Sequence, residues 1–343
     1  MAQRLILHVG LMKSGTSFIQ QVLRMNHALL RERGVLFPSP WGRQVRAVRD
    51  VIGKGGSGQE PLAPDGDWLG LMRALDAWSG TAVLSMEFLG PRRVAKVREI
   101  VASLPSEDVQ VVISVRDLAR TIPAMWQENV QNWGHLSWEQ YLTGVEAEDR
   151  SSPGPGQSFW HRQDASGITS RWMSAVGRDH LSVLTVPPRG APSDLLWRRF
   201  ASVMQVDPEG FDLDVPSNPS LGLPSVLVLH EVNARLRASR EPISTKQYER
   251  TVKTLLAKRG LAARSGEARL GYDSDWVMKR GDREIELLRA LNPRVVGDLE
   301  ELRCTPVTGV DPASVSLEDR LDAALDAITL LAERLARHRV PDS

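Results

Sequence analysis

Residues 8–17 read HVGLMKSGTS and connect an apolar run, residues 4–9, to a segment with helical periodicity, residues 16–32. A strand that passes through a loop of small residues into a helix points backbone N–H groups, and the positive end of the helix dipole, at one place. Such junctions bind anions. The segment therefore predicts an α/β fold with an anion-binding loop after its first strand.

The side chains of this loop suit an anionic ligand. Gly15 lets the backbone turn closely around a ligand. Ser14, Thr16 and Ser17 supply hydroxyl groups, and Lys13 supplies a positive charge. An ordinary turn between a strand and a helix explains the glycine, but it does not explain a lysine together with three hydroxyl residues.

Short apolar runs alternate with amphipathic segments through about the first 200 residues, a pattern typical of βα units that feed a parallel sheet. Besides the first strand, we predict strands at 34–37, 81–86, 110–115 and 181–186. We predict helices at 16–32, 67–79, 91–104, 118–132 and 192–204. Residues 1–215 are thus predicted to form a three-layer α/β core with a mainly parallel sheet.

The strand signals fade after residue 215, and residues 216–343 are predicted to form a helical region that packs on the core, either as a separate region or within one single domain. Its helices are expected at 221–239, 245–259, 274–290 and 317–338. The last helix places five apolar residues on one face: Leu321, Leu325, Ile328, Leu331 and Leu335. We expect this face to pack on its own domain rather than to form a dimer seam, and the oligomeric state stays open.

The composition narrows the class of protein. The chain has 343 residues, of which 42% are hydrophobic, and a net charge of +1, so no overall field attracts a polyanion or an anionic membrane. We expect neither nucleic acid nor a membrane as a partner. The single cysteine, Cys304, excludes an internal disulfide and a multi-cysteine zinc site. With no H-E-x-x-H motif either, we expect no metal site.

The first residues lack the pattern of a signal peptide, and no apolar run reaches the ~18 residues of a membrane span. We therefore expect a cytoplasmic protein. Arginine far outnumbers lysine, and alanine, glycine and proline are abundant. This usage is typical of GC-rich bacterial genomes.

The loop departs from the ATP-binding P-loop, G-x-x-x-x-G-K-[ST], because Thr16 follows Gly15 where the lysine should stand. Lys13 comes two residues before Gly15 instead. This arrangement resembles the 5′-phosphosulfate loop of sulfotransferases that use 3′-phosphoadenosine 5′-phosphosulfate (PAPS), commonly P-K-[ST]-G-T-[ST]. Met12 replaces the usual proline. The resemblance implies that Lys13, Ser14, Gly15, Thr16 and Ser17 hold the 5′ end of PAPS.

A second match follows the strand at 110–115. In sulfotransferases an arginine that leaves this strand, with a serine eight residues later, holds the 3′-phosphate. Arg116 matches the arginine, and its planar guanidinium can make two charge-assisted bonds to a phosphate. The eighth residue is Ala124, so the serine is missing. Thr121, one helical turn earlier, is a candidate replacement.

The resemblance covers residues 4 to about 215. The segment Asn218-Pro219-Ser220 then resembles an asparagine-and-serine segment that precedes the closing helices in bacterial members, which implies that Asn218 and Ser220 bind the donor. The same three residues also suit a simple turn and helix N-cap.

Transfer of a sulfuryl group to a hydroxyl needs a base for the acceptor proton and positive charge at the departing phosphate oxygen. Glu87 follows the strand at 81–86, so we expect its carboxylate at the carboxyl edge of the sheet, beside the loop. We predict Glu87 as the base and Lys13 as the group that stabilises the leaving oxygen. His8 is the next candidate base, and His161 is a candidate neighbour of the acceptor.

The resemblance thus implies sulfuryl transfer from PAPS to a hydroxyl or amine of a small-molecule or carbohydrate acceptor, with adenosine 3′,5′-bisphosphate as product and no metal. Two alternatives stay open. A kinase or nucleotide hydrolase would use the same geometry with magnesium, and Asp117 could serve as its metal-binding acid. A nucleotide-binding domain without catalysis is the other, because Met12 and Ala124 depart from the family pattern.

Overall fold

The computed structural model describes residues 2–53, 65–216 and 220–339. A six-stranded parallel sheet lies at the centre of the fold, in the order β2-β3-β1-β4-β5-β6. Its strands are β1 Arg4–His8, β2 Val35–Leu36, β3 Thr81–Ser85, β4 Val109–Val115, β5 Leu181–Thr185 and β6 Arg294–Val296. The carboxyl ends of β1, β3 and β4 are therefore neighbours.

Helices connect the strands and cover the sheet. The α-helices of the described residues are α1 Thr16–Met25, α2 His27–Glu32, α3 Trp41–Val51, α4 Asp67–Asp76, α5 Val94–Ala102, α6 Leu118–Gln131, α7 Trp138–Glu146, α8 Pro155–Gln163, α9 Ala165–Val176, α10 Leu195–Met204, α11 Leu223–Ala238, α12 Thr245–Tyr248, α13 Asp275–Leu291 and α14 Leu317–Arg339. A π-helix, Glu249–Gly260, follows α12.

The strands are apolar because both faces of the sheet are covered. All seven residues of β4 are buried. Along β1 the side chains alternate: Leu5 and Leu7 belong to a core with α3, α4, α5 and α9, whereas Ile6 belongs to a second core with α1 and α10. This confirms the predicted three-layer α/β fold with a mainly parallel sheet.

The sequence-based prediction was wrong in four places. Residues 41–51 form helix α3, which was not predicted. The segment 16–32 is divided at Asn26 into α1 and α2. Residues 138–176 contain three helices that were not predicted, α7, α8 and α9. Strand β6 lies in the region that was predicted to be helical; it has only three residues, none of them fully buried, so it carries no clear strand pattern.

The chain divides into two compact units. The first comprises 1–118, 160–216 and 278–304 and contains the whole sheet. The second comprises 119–159, 217–277 and 305–343 and is mainly helical. The division into a catalytic core, 1–215, and a helical region, 216–343, stays a prediction.

In the second unit, a buried amide links two helices. Asn233 of α11 donates to the carbonyl oxygens of Val130 (2.7 Å) and Gly134 (2.8 Å), and it accepts from the Tyr248 hydroxyl (2.7 Å). These bonds tie α11 to the end of α6.

Helix α14 buries Ala323 and Ala327 but exposes most of its predicted apolar face. The exposed fraction is above one half for Leu321, Leu325, Ile328 and Leu335. The expectation that these four side chains pack on their own domain is therefore wrong. Among the described residues, no helix is both long and apolar enough to cross a membrane.

Candidate active site

The loop between β1 and α1 lies at the carboxyl edge of the sheet, with β3 and β4 on either side. Its backbone turns through left-handed conformations at Lys13 (φ 61°) and Gly15 (φ 79°). Helix α1 begins at Thr16, and within the described chain no side chain caps its N-terminus and no acidic residue lies in its first turn. The N–H groups of that turn are thus available to an anion.

Two glycines make this geometry possible. A Cβ atom on Gly15 would come within 2.5 Å of Leu196 Cδ2, in α10. A Cβ atom on Gly10 would come within 3.2 Å of both Cα and Cβ of Glu87, and the φ of Gly10 is 116°. Only glycine combines these conformations with such close neighbours. The second approach shows that Glu87 lies directly beside the loop.

A chain of buried hydrogen bonds supports the loop from below. His8, at the end of β1, contacts the hydroxyl oxygens of Ser85 (Nδ1, 2.8 Å) and Ser114 (Nε2, 3.0 Å), on the neighbouring strands β3 and β4. The Ser114 oxygen lies 2.7 Å from the Ser14 oxygen, and Ser14 donates to the Leu11 carbonyl (2.5 Å). Three strands and the loop are therefore held together through one imidazole.

Burial and two hydroxyl partners decide the charge of His8. The hydroxyl groups of Ser85 and Ser114 can each donate or accept, so either neutral tautomer of the imidazole satisfies both ring nitrogens. Complete burial lowers the pKa of His8 from 6.5 to about 3. His8 is thus a neutral residue that positions the loop, and its ring nitrogens are already engaged. This argues against its role as the alternative base.

Glu87 is placed where the sequence predicts it. It follows β3 as the first residue of a short 3-10 helix, Glu87–Leu89, and is only half-buried. Gln20 of α1 donates its amide to Glu87 Oε2 (3.1 Å) and to the carbonyl of Ser85 (3.2 Å). The helix that begins at the loop therefore also orients this carboxylate.

Arg116 is the first residue after β4, and its Nη1 donates to the carbonyl oxygen of Lys13 (3.3 Å). From α8, Gln163 donates to the carbonyl oxygen of Met12 (2.9 Å). Two side chains thus hold consecutive carbonyl groups of the loop. The guanidinium of Arg116 and the backbone of Lys13 are consequently close together.

The structure brings most of the predicted site residues to this loop: Lys13, Ser14, Gly15, Thr16, Ser17, Glu87 and Arg116. Their side chains differ in what they offer. Thr16 is buried and Ser17 is exposed, while the hydroxyl of Ser14 is engaged with Leu11 and Ser114. The binding roles of all these residues stay predictions.

The predicted roles of Asn218, Ser220 and Thr121 stay predictions. Asn218 lies outside the described residues. Ser220 is exposed and belongs to the second unit. Thr121, the candidate substitute for the serine missing at Ala124, is buried within the second unit.

Four residues that support the site were not predicted from the sequence: Gln20, Ser85, Ser114 and Gln163. A signal was present for Ser85 and Ser114, because each interrupts an apolar strand near its carboxyl end. The glutamines carried no such signal. Within the described ranges, no group of three or more His, Cys, Asp or Glu side chains is arranged to hold a metal ion.

Comparisons with known proteins leave the family undetermined. No protein-family model matches the sequence, and no curated protein matches it. Among solved structures, the fold is similar to a sulfotransferase from Alicyclobacillus acidocaldarius, with 16% identity and a TM-score of 0.44. The match covers 73% of this chain and 100% of the other. This likeness assigns no activity to the chain.

Proposed function

We propose that this protein is a sulfotransferase that takes a sulfuryl group from PAPS and transfers it to a hydroxyl or amine of a small-molecule or carbohydrate acceptor. One observation carries the proposal: an uncapped helix N-terminus with Lys13 in its loop lies directly beside a carboxylate, Glu87. An anion subsite next to a base is the arrangement that group transfer to a hydroxyl requires.

In the proposed reaction, the acceptor oxygen forms a bond to sulfur while the bond between sulfur and the bridging phosphate oxygen breaks. Glu87 accepts the proton of the acceptor. Lys13 stabilises the negative charge that develops on the bridging oxygen, and the N–H groups of the first turn of α1 bind the 5′-phosphate. Gln20 orients the carboxylate of Glu87 through its hydrogen bond of 3.1 Å.

Arg116 is proposed to bind the 3′-phosphate of the donor and of the product, adenosine 3′,5′-bisphosphate. Its guanidinium is half-buried at the end of β4 and touches the loop, so one side chain would link the loop to a second anion. Asn218 and Ser220 remain proposed donor contacts on the sequence resemblance alone.

A kinase or nucleotide hydrolase is the second candidate, and Asp117 is the residue that supports it. Asp117 is buried at the end of β4, where a metal-binding acid would stand. Against it, Thr16 occupies the position of the P-loop lysine. A domain that binds nucleotide without chemistry is the third candidate, and the base Glu87 beside the loop argues against it.

The deciding experiment measures affinity for PAPS, ATP and adenosine 3′,5′-bisphosphate side by side, together with turnover. The proposal predicts tight binding of the two 3′-phosphorylated nucleotides and sulfuryl transfer that persists in a chelator. Turnover of ATP that depends on magnesium would establish the kinase instead. Nucleotide binding without turnover across a panel of hydroxyl and amine acceptors would favour the non-catalytic domain.

A further inference from the structure

A basic cluster lies next to the candidate site. We define it by four arginines and a histidine: Arg92, Arg93, His161, Arg162 and Arg171. Arg92 and Arg93 precede α5, whereas the other three belong to α8 and α9. Helix α9 packs against α5, which brings the two groups together.

Hydrogen bonds fix the cluster to the site from one side. The Arg171 Nε donates to the carbonyl oxygen of Arg92 (3.1 Å), and the indole of Trp172 donates to the carbonyl oxygen of Gly90 (3.0 Å). Gly90 in turn packs so closely on Val9 that a Cβ atom would lie 2.5 Å from the Val9 carbonyl oxygen. The turn that follows Glu87 is thus pinned between the loop and α9.

A second anchor comes from α8. Gln163, which directly follows Arg162, donates to the carbonyl oxygen of Met12 in the loop. The segments that carry the cluster therefore adjoin both the loop that is proposed to hold the donor and the turn that follows the proposed base.

The arginines place His161 in a positive field. Partial burial lowers the pKa of His161, and the charges of Arg92, Arg162, Arg171 and Arg93 lower it further. Burial likewise lowers the pKa of Arg92, and Arg162 adds to this effect. An oxyanion that approaches these side chains therefore meets the summed positive potential of several guanidinium groups.

We propose that the basic cluster recognises an acidic acceptor, one that carries a carboxylate or sulfate group near the hydroxyl that reacts. This inference rests on the proposed function. An acidic acceptor must approach the carboxylate of Glu87, and neighbouring positive charge offsets that repulsion. Guanidinium groups also pair with both oxyanions through two parallel hydrogen bonds. The cluster would thus determine the specificity for the acceptor, while Lys13 and Arg116 bind the donor.

Three glycosides with one aglycone test this directly: p-nitrophenyl β-glucoside, its 6-sulfate, and p-nitrophenyl β-glucuronide. Ligand-observed NMR titrations without nucleotide give their affinities. We expect both anionic glycosides to bind about 3- to 10-fold more tightly than the neutral one, a preference that weakens as salt is raised. A preference for only one of them identifies the oxyanion that the cluster accepts.

The double variant Arg93→Gln/Arg162→Gln should lose this preference. The control is Arg178→Gln, which removes an exposed arginine just before β5, at the opposite edge of the sheet, and should leave the preference unchanged. Titration of adenosine 3′,5′-bisphosphate keeps the two proposals apart, because its binding should be the same in all three proteins.

Equal affinity of the wild type for all three glycosides, or no binding of any, would overturn the inference. So would a preference that survives in the double variant. Loss of nucleotide affinity in the double variant would assign the cluster to the donor instead. If the glycoside preference is present but no PAPS turnover occurs with any of them, the anion site stands and the proposed function fails.

Discussion

The carboxyl edge of the sheet has two polar regions, each with an arginine and a carboxylate. The hydrogen-bond partners of these charged side chains differ between the two regions. At the end of β5, Arg199 donates from its two terminal nitrogens to both oxygens of Glu301 (2.6 and 2.7 Å), and Thr185 donates to the same carboxylate (2.5 Å). Beside the β1 loop, Arg116 donates to the backbone carbonyl of Lys13, and the carboxylate of Glu87 accepts from the neutral amide of Gln20.

The difference separates a structural site from a candidate active site. Arg199 and Glu301 are mostly buried and form a salt bridge with each other, so the pair has a structural role. The β1 loop instead presents a helix N-terminus and a half-buried carboxylate. A carboxylate paired with an arginine stabilises the fold, whereas a helix N-terminus that no side chain of the described chain caps suits an external anion.

The largest effect is expected from Glu87→Gln. The amide keeps the size of the side chain but cannot accept the acceptor proton, so turnover should fall about 10²–10⁴-fold, the usual contribution of a general base. Affinity for adenosine 3′,5′-bisphosphate should stay unchanged. Steady-state assays measure the turnover rate, and isothermal titration calorimetry measures the affinity for the nucleotide.

Lys13→Ala is the contrasting variant at the same loop. It should weaken both nucleotide binding and turnover, because the ammonium is proposed to contact the donor before and during transfer. Near-normal turnover of Glu87→Gln, under conditions where chemistry limits the rate, would make Glu87 a structural residue like Glu301.

Arg116→Ala tests the second anion subsite. The wild type should prefer adenosine 3′,5′-bisphosphate to adenosine 5′-phosphate, and the variant should lose about 10- to 100-fold of that preference, the value of one charge-assisted clamp. Competition binding measures both nucleotides. If the wild type binds them equally, Arg116 has no role at a 3′-phosphate and resembles Arg199 in being structural.

Glu301→Gln makes the same change of glutamate to glutamine at the Arg199–Glu301 salt bridge. It should leave turnover unchanged and lower the free energy of unfolding by about 1.5–3 kcal/mol, since Arg199 loses a charged partner.

The effect of Glu301→Gln should also depend on pH. Burial alone would raise the pKa of Glu301, but hydrogen bonds from Arg199 and Thr185 outweigh it and lower the pKa. The carboxylate therefore stabilises the fold fully above its unfolded pKa, about 4.3. The difference from the variant should shrink below that value and vanish once the pH has fallen through the lower folded pKa. Denaturant unfolding at several pH values is the check.

The sequence predicted the central fold because its strands are apolar and its loop has a distinctive order of residues. It placed Lys13, Glu87 and Arg116 at one edge because residues that follow parallel strands must emerge there. It could not place Gln20 or Gln163, whose roles depend on which helix face meets the loop. It also missed β6, whose three residues, Arg294–Val296, pair with β5 without a buried pattern of their own.

His8 gives the smallest and most specific effect, because it supports the loop without entering the proposed chemistry. Its folded pKa, about 3, lies below the unfolded value near 6.5, so the unfolded chain binds the extra proton first as the pH falls. The free energy of unfolding should therefore decrease by about 1.4 kcal/mol for each pH unit below roughly 6.5.

His8→Asn removes the titrating group. The variant should lack this contribution to the slope of the unfolding free energy against pH, whatever its cost in stability at pH 7. Chemical denaturation of both proteins between pH 7.5 and 5 measures the slopes. Equal slopes would mean that His8 takes up its proton at the same pH in the folded and unfolded protein, and a neutral His8 buried between Ser85 and Ser114 would then be wrong.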